Sequence, residues 1–295
     1  MENTISCIVK SVFENNTFSF EQIKGGGVVN IVYKISFDDT SYILRMMQGK
    51  EYLSVYQKEQ WCSDAAITVG IKTPKYIVTG VVDGYAFSFQ EHIEGVQGTK
   101  VPHETQRIWF ALGEYSKKYN SIEAPQFEID YGDTINELFS SDFFTAHSLF
   151  SEDIITNIKK RLGSVVFRDF KPKLCHGNLH PSNVIVQPSG AICLIDWGTA
   201  SGNYVPYSEL VELFAWNTGK DNIRCFCEGY GINGEDLHSM MYDIQTLVLL
   251  RLLKVLRSKI ERAEDAKASE FVLSTTKNIN EIVNFEGEVL FLKNV

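Results

Sequence analysis

The sequence predicts an α+β fold of two lobes, with an antiparallel β lobe first and a mainly helical lobe second. The first observation is a series of short β-branched and aromatic runs, separated by turn residues, over about residues 20–95. The second is helical spacing beyond them, where Ile108 and Leu112 recur on one face. We therefore predict an N-lobe at residues 1–95 and a C-lobe at residues 96–295.

The N-lobe is predicted to hold five antiparallel strands and one helix. β-Branched and aromatic runs predict strands over residues 28–35, 41–46, 76–79 and 85–90. Asp83-Gly84 supplies a tight turn between the last two of these strands. Apolar residues spaced by three and four predict the helix over residues 52–67, which Gly70 ends.

The C-lobe is predicted to be helical apart from one short strand pair. Helical spacing covers residues 132–168, 205–218, 235–262 and 265–290. The strand pair is expected at residues 183–187 and 191–195, turned by Pro188-Ser189-Gly190. The sequence contains no internal repeat.

Composition and charge narrow the class of partner. The chain has 295 residues, of which 44% are hydrophobic and 22% charged, and its net charge is -9. Binding to a nucleic acid polymer depends on Lys and Arg neutralising phosphates, so this charge argues against such a partner. An acidic balance suits a cationic small molecule, although it suits solubility equally well.

The sequence also bears on location. The N-terminus lacks the charged-then-apolar pattern of a signal peptide. The most apolar run, Leu247–Leu253, is interrupted by Arg251 and is too short to span a membrane. We therefore expect a cytoplasmic protein with no membrane partner, present as a monomer or weak dimer.

The most informative pattern runs from Cys175 to Asn183 and is followed by Ile-Asp-Trp-Gly around Asp196. Kinase-like phosphotransferases use a His-x-Asp-x-x-x-x-Asn loop, whose Asp receives the substrate proton and whose Asn binds magnesium. Here the spacing is intact at His176 and Asn183, but position 178 holds Asn178. Amide and carboxylate oxygens are hard ligands that suit Mg²⁺, so Asn183 and Asp196 predict a metal site.

The motif His-Gly-x-Leu-His-Pro-x-Asn, followed by Ile-Asp-Trp, resembles the aminoglycoside phosphotransferase and choline kinase superfamily. The resemblance implies a protein-kinase-like two-lobed fold, Mg²⁺ as cofactor, and ATP or GTP as co-substrate. It implies transfer of the γ-phosphate to a hydroxyl of a small, cationic or sugar-like acceptor of the aminoglycoside type. That family usually has Asp where this chain has Asn178. Protein kinase activity is disfavoured, because Ile-Asp-Trp-Gly replaces Asp-Phe-Gly and no Ala-Pro-Glu follows.

The resemblance implies a nucleotide-covering loop at Gly25-Gly26-Gly27, which is followed by Asn30. Glycines allow backbone N–H groups to approach phosphates closely. The alternative for a glycine triplet is a flexible turn. No Gly-Lys-Ser/Thr follows, which argues against the P-loop class.

Arg45 stands where kinases carry the lysine that pairs with the α- and β-phosphates. Its permanently charged, bidentate guanidinium suits phosphate. The alternative is an edge-strand arginine in solvent. Glu59 on the following helix is the expected partner of Arg45, and Glu51 is a competitor that the helix register disfavours.

The remaining candidates are carried over from the resemblance. Gln90, Glu91 and His92 fall in the expected linker between the lobes, whose backbone would bind adenine or guanine. The side chains do not decide between these bases, and a structural role is favoured for His92. His176 is expected to support the geometry of the loop, as is His180.

Substrate contacts are expected beyond Asp196, where carboxylates would hold an ammonium group. The candidates are Glu209 and Glu212, with Trp197 as an aromatic surface for a sugar or quaternary amine. The alternatives are solvated helix faces for the acids and core packing for the tryptophan.

Asn178 leaves three explanations open. It can be a substitution made to trap a substrate complex, a mark of a natural pseudokinase, or part of a slow kinase whose base lies elsewhere. The amide has no useful basicity, and general-base catalysis contributes about 3–5 kcal/mol. We expect nucleotide binding to survive and turnover to fall, and the alternative function is a non-catalytic nucleotide-binding module.

Overall fold

The chain divides into two units in its computed structural model. The structure describes residues 1–13, 17–23, 30–124, 131–139, 143–164, 171–216, 218–262 and 270–284. Unit 1 comprises Met1–Ile108 and His180–Ala200, and unit 2 comprises Trp109–Leu179 and Ser201–Val295. Residues 180–200 thus return to the unit that holds the N-terminal strands. The lobe boundary at residue 95 stays a prediction.

Unit 1 is built on a five-stranded antiparallel sheet. Its strands are β1 (Ser19–Gln22), β2 (Ile31–Ser36), β3 (Ser41–Gln48), β4 (Tyr76–Val82) and β5 (Tyr85–Glu91). They are arranged in the order β1-β2-β3-β5-β4, which confirms the predicted five-stranded antiparallel sheet. Asp83 and Gly84 both have positive φ, as a tight hairpin turn between β4 and β5 requires.

One face of this sheet is covered by helix α1 (Glu2–Val12), which the sequence analysis did not predict. Ile5 and Ile8 of α1 are buried in one core cluster with Leu44 and Met46 of β3. Their spacing of three residues places both isoleucines on the same side of the helix.

The other face is covered by helix α2 (Leu53–Thr68), in agreement with the predicted helix. Tyr56 of α2 packs with Met47 of β3 and Ala86 of β5. Because side chains alternate along a strand, Arg45 lies on the same face as Met47, toward α2. A central strand covered on both faces therefore holds Arg45, and the edge-strand alternative is wrong.

Unit 1 also contains a three-stranded antiparallel sheet of β6 (Val96–Gln97), β8 (Val184–Val186) and β9 (Ile192–Leu194). The β8–β9 pair confirms the predicted hairpin, with Val184 opposite Leu194. The Leu194 N–H donates to the Lys72 carbonyl at 2.8 Å, which joins β9 to the segment before β4.

Unit 2 is mainly helical. Its helices are α3 (Thr105–Tyr119, whose first residues belong to unit 1), α4 (Tyr131–Phe139), α5 (Phe143–Ala146), α6 (Glu152–Gly163), α7 (Tyr207–Ala215), α8 (Lys220–Tyr230), α9 (Gly234–Arg262) and α10 (Glu270–Asn284). Helix α8 was not predicted from the sequence. The antiparallel pair of β7 (Lys173–Cys175) and β10 (Ser201–Asn203) was not predicted either.

Close helix contacts and one arginine hold unit 2 together. A Cβ at Gly113 would lie 2.1 Å from the Phe226 carbonyl, and one at Gly229 would lie 2.0 Å from the Phe110 carbonyl. Only glycine permits α3 and α8 to approach so closely.

Arg161 of α6 links three helices, because it donates to Gln245 Oε1 and Thr246 Oγ1 of α9 and to the Ile282 carbonyl of α10. Among the described helices, none is long and apolar enough to cross a membrane.

Candidate nucleotide and catalytic site

The centre of the candidate site in unit 1 is a buried ion pair between Arg45 and Glu59. Arg45 Nη2 lies 3.3 Å from Glu59 Oε1, and Arg45 Nη1 contacts Glu59 Oε2. Arg45 is only 8% exposed and Glu59 only 2%. The expected pairing of Arg45 with Glu59, rather than with Glu51, is therefore present. The bidentate geometry fixes the guanidinium on the α2 face of the sheet.

Two tyrosines support this pair. The Tyr76 hydroxyl donates to Glu59 Oε2 at 2.7 Å and accepts from Arg45 Nη1 at 3.3 Å. The Arg45 guanidinium lies 5.6 Å from the centre of the Tyr56 ring, within range of a cation–π interaction. The Tyr56 hydroxyl in turn donates to Asn30 Oδ1 at 2.8 Å. Asn30 thus contacts the network that holds Arg45.

Electrostatics keep Arg45 charged. Burial is the largest single influence and by itself would lower the pKa of the guanidinium, but Glu59, Tyr76 and Asp196 together outweigh it, and the pKa of Arg45 is raised. Tyr76 is held neutral, because burial and the neighbouring Glu59 carboxylate raise the pKa of its hydroxyl well above the usual value. The site therefore offers a fixed positive charge that does not titrate in the physiological range.

Asn183 and Asp196 come together at the ends of β8 and β9. The Ile195 N–H donates to the Asn183 carbonyl at 2.9 Å, so Asp196 follows directly after the residue paired with Asn183. The Asp196 Oδ1 atom lies 3.8 Å from Arg45 Nη2, and the Asp196 side chain is 49% exposed. The structure thus places Asp196 beside the Arg45–Glu59 pair and leaves its carboxylate accessible.

These residues fit a magnesium ion bound together with phosphates. Mg²⁺ retains several waters and is held by one or two protein oxygens plus substrate phosphates, so two ligands are sufficient. Asn183 would supply an amide oxygen and the half-exposed Asp196 a carboxylate oxygen. No cluster of three His, Cys, Asp or Glu residues suited to a metal occurs in the described part of the chain. A cage made only of side chains is therefore not the kind of site found there.

The segment after Asp196 is fixed by two contacts. The Trp197 indole N–H donates to Thr73 Oγ1 at 2.9 Å. The Lys58 ammonium donates to the carbonyls of Gly198 at 2.8 Å and Ala200 at 3.0 Å. Asp196 itself has φ of 67°, a left-handed conformation that aspartate tolerates better than most residues.

The linker candidates lie at the end of β5. The Glu91 N–H donates to the Lys75 carbonyl at 2.9 Å, and the Lys75 N–H donates to the Glu91 carboxylate at 3.2 Å. His92 Nδ1 lies 3.0 Å from Ser41 Oγ, and burial, with a smaller contribution from Lys34, lowers the pKa of its imidazole. Gln90 is paired with Ile43 of β3 and is partly buried. A nucleotide-binding role for this segment stays a prediction.

In unit 2, the loop that carries His176 and Asn178 is braced by a buried carboxylate. The His176 N–H donates to Glu209 Oε1 at 2.8 Å, and the Tyr119 hydroxyl donates to the same atom at 2.7 Å. The His176 side chain is fully buried, whereas Asn178 is exposed. Burial raises the pKa of Glu209 to about 7, although the two hydrogen bonds oppose this shift. In unit 1, His180 Nδ1 accepts from the Ser182 N–H at 3.1 Å.

The structure corrects two of the expected substrate contacts. Glu209 is fully buried, and Trp197 is 1% exposed, so neither side chain presents a surface to a substrate. Core packing was the right alternative for Trp197. Glu212 lies 2.7 Å from Arg251 Nε and accepts from the Trp216 indole N–H at 2.7 Å. Its charge is thus already partnered, which weakens the case for an ammonium ligand.

Several residues of the site were missed in the sequence. Tyr56 and Lys58 lie on the predicted helix beside Glu59, and the three-residue spacing of Tyr56 and Glu59 could have placed both on one face. No sequence signal points to Tyr76 or Tyr119, since both act through partners distant in the chain. Gly25, Gly26 and Gly27 lie outside the described residues, and their role stays a prediction.

The chain matches a known protein family. Residues 19–225 match the protein family described as the phosphotransferase enzyme family, which covers more than half of the chain. Curated protein sequences yield no match.

Solved structures share the fold at low sequence identity. The structure of APH(2")-IIIa with GDP and kanamycin is 18% identical, has a TM-score of 0.69, and covers 95% of this chain and 99% of its own. A thermostable mutant of aminoglycoside phosphotransferase APH(4)-Ia with ADP and hygromycin B is 13% identical, with a TM-score of 0.68 and coverage of 94% and 96%. Spectinomycin phosphotransferase APH(9)-Ia with ADP and spectinomycin is 17% identical, with a TM-score of 0.61 and coverage of 97% and 95%. These likenesses show the kinase-like α+β fold.

Proposed function

Because the chain belongs to the phosphotransferase enzyme family, we propose that it moves the γ-phosphate of ATP or GTP to a hydroxyl of a small, cationic or sugar-like acceptor. The observation that carries this proposal is the buried Arg45–Glu59 pair, whose guanidinium lies 3.8 Å from Asp196. A permanent cation beside the accessible carboxylate of Asp196 is suited to phosphates that arrive with a metal ion.

Each residue has a role in this reaction. Arg45 neutralises phosphate oxygens, and Glu59 and Tyr76 hold the guanidinium in place. Asn183 and Asp196 would hold Mg²⁺, which would neutralise charge on the phosphates. Gln90, Glu91 and His92 would contribute the segment against which the nucleotide base lies. A role of residues 25–27 in covering the phosphates stays a prediction from the sequence.

Asn178 sets the rate. Its amide can accept a hydrogen bond from the acceptor hydroxyl and so orient it, but the amide cannot take the proton. A general base accelerates proton transfer by about 10²–10⁴-fold, whereas phosphoryl transfer depends mainly on positioning and charge. We therefore propose a kinase with intact nucleotide binding and reduced turnover.

The acceptor is proposed to be of the aminoglycoside type. The net charge of -9 favours a cationic molecule, and the fold is shared with structures that hold kanamycin, hygromycin B or spectinomycin. The partnered state of Glu212 and the burial of Glu209 leave the acceptor-binding carboxylates unassigned. The proposed location is the cytoplasm, where ATP and GTP are available, and the proposed state is a monomer or weak dimer.

A second function is favoured by one observation, the amide at position 178. The protein would then be a pseudokinase that binds nucleotide without transferring phosphate. Both functions share the phosphate site of Arg45, Asn183 and Asp196, and they differ only in turnover.

The substitution Asn178→Asp separates the two functions. Purified wild type and variant are screened with ATP and GTP, in the presence of Mg²⁺, against aminoglycosides, choline and small sugars. If the protein is a kinase, the variant transfers phosphate to at least one acceptor about 10²–10⁴-fold faster than the wild type. Asn278→Asp, at an exposed position of α10, is the matched control and leaves turnover unchanged.

Nucleotide binding is measured on the same samples by thermal unfolding. Stabilisation of the wild type by ATP or GTP with Mg²⁺ is expected, because a ligand that binds only the folded state raises its melting temperature. Nucleotide binding without transfer by Asn178→Asp would favour the pseudokinase. If neither nucleotide raises the melting temperature at saturating concentration, both proposed functions are wrong.

A further inference from the structure

Lys58 makes an unusual connection within unit 1. Its ammonium donates two hydrogen bonds to backbone carbonyls, to Gly198 at 2.8 Å and to Ala200 at 3.0 Å. Both carbonyls belong to the short turn that follows Asp196. Among the described residues, Lys58 forms no ion pair, so its charge is directed at these two carbonyls.

The turn that Lys58 contacts follows a residue with a strained backbone, Asp196. Asp196 has φ of 67° and ψ of 69°, a left-handed conformation that a non-glycine residue keeps only where its surroundings hold it. The Trp197–Thr73 hydrogen bond holds the turn toward the segment before β4. Lys58 holds it toward α2, the helix that carries Glu59. The two contacts hold the residues directly after Asp196, one to the segment before β4 and the other to α2.

We propose that Lys58 is a positioning residue that holds Asp196 in the conformation required for Mg²⁺ binding. The inference rests on the proposed function, because it assigns Asp196 as a metal ligand. An ammonium gives charge-assisted hydrogen bonds to carbonyls, and Lys58 is partly buried, which limits competition from water. Lys58 itself contacts neither phosphate nor metal in this role. It links the position of Asp196 to the helix that orients Arg45 through Glu59.

The test compares nucleotide affinity with and without magnesium. Dissociation constants of ATP and GTP are measured by titration calorimetry in excess Mg²⁺ and in excess chelator for wild type and Lys58→Met. Loss of a partner that orients a metal ligand costs about 10–100-fold in metal affinity. We expect the tightening of nucleotide binding by Mg²⁺ to fall by that factor, while the affinity measured in chelator stays unchanged, since Arg45 is intact.

Two further variants serve as a control and as a conservative replacement. Lys50→Met removes an exposed lysine just before the same helix and leaves the magnesium effect at the wild-type level. Lys58→Arg keeps two donors on a long side chain and restores most of the effect. Should Lys58→Met fail to fold, Lys58→Gln is used, because its shorter neutral side chain cannot hold both carbonyls, and the same loss is expected.

The outcomes are distinct. The role of Lys58 is overturned if Mg²⁺ tightens nucleotide binding by folded Lys58→Met or Lys58→Gln as much as it does for the wild type. It is also overturned if the variant loses as much nucleotide affinity in chelator as it loses in Mg²⁺. If the wild type binds nucleotide without any magnesium effect, Asp196 is not a metal ligand and the inference falls with that part of the proposed function. A wild type that binds no nucleotide overturns the proposed function itself.

Discussion

The buried carboxylate of Glu209 should make the stability of the fold depend on pH. Glu209 is fully buried beneath the loop that carries His176 and Asn178. Burial raises its pKa from 4.5 to about 7, in spite of the hydrogen bonds from Tyr119 and the His176 N–H. Substituting Glu209→Gln removes the titration and preserves the size of the side chain.

The magnitude follows from the pKa difference. One pKa unit corresponds to about 1.4 kcal/mol, so a rise from 4.5 to about 7 corresponds to about 3 kcal/mol. The folded state binds the proton more tightly than the unfolded state does, so this contribution to stability is fully present below the unfolded pKa. This contribution is lost as the pH rises from the unfolded pKa to about 7. Above that pH, Glu209 no longer makes the free energy of unfolding depend on pH.

Urea unfolding of wild type and Glu209→Gln at about pH 4 and about pH 8 measures the effect. Between these two conditions, the free energy of unfolding of the wild type should fall by about 3 kcal/mol more than that of the variant. Glu114→Gln, at an exposed position of α3, serves as control and should keep the wild-type pH dependence. Equal pH dependence in wild type and Glu209→Gln would refute the reasoning, because Glu209 would then titrate normally in the folded protein.

Two further predictions concern the proposed phosphate site. Glu59→Gln leaves Arg45 buried without its counter-ion, so the free energy of unfolding in urea should fall by about 3–5 kcal/mol, whereas Glu51→Gln at an exposed position should have little effect. A loss below about 1 kcal/mol would show that water replaces the carboxylate. Tyr56→Phe removes the hydrogen bond to Asn30 and should lower the free energy of unfolding, measured by thermal unfolding, by about 1 kcal/mol. An unchanged free energy of unfolding would show that this hydrogen bond does not stabilise the fold.

The grouping of residues in the proposed phosphate site was largely predictable because these residues lie in local sequence patterns. Asn183 and Asp196 are tied together by one short hairpin, so their sequence spacing already implied that they meet. Arg45 and Glu59 lie on a strand and the helix that follows it, and helix register was enough to prefer Glu59 over Glu51. The β-branched runs gave the strands of the sheet for the same reason.

Elements that depend on distant partners were missed. Helix α1 packs against β3 through Ile5 and Ile8. This apolar face is short, and only its packing on the sheet identifies it as part of the core. Helix α8 approaches α3 through Gly113 and Gly229, and two glycines in helices carry no signal of helix formation. The pairing of β7 with β10 likewise joins segments that are far apart in sequence.

By itself, the sequence determined the family, the five-stranded sheet, and the polar residues available for phosphate chemistry, including the amide at position 178. Only the tertiary structure decided which of those residues are accessible. It buried Glu209 against Tyr119, which is 90 positions away, and brought Lys58 to Gly198 across 140 positions. The physical reason is that chemical identity and short-range spacing are local properties of the chain. Burial, the pKa shifts that burial causes, and contacts between distant segments exist only once the chain has folded.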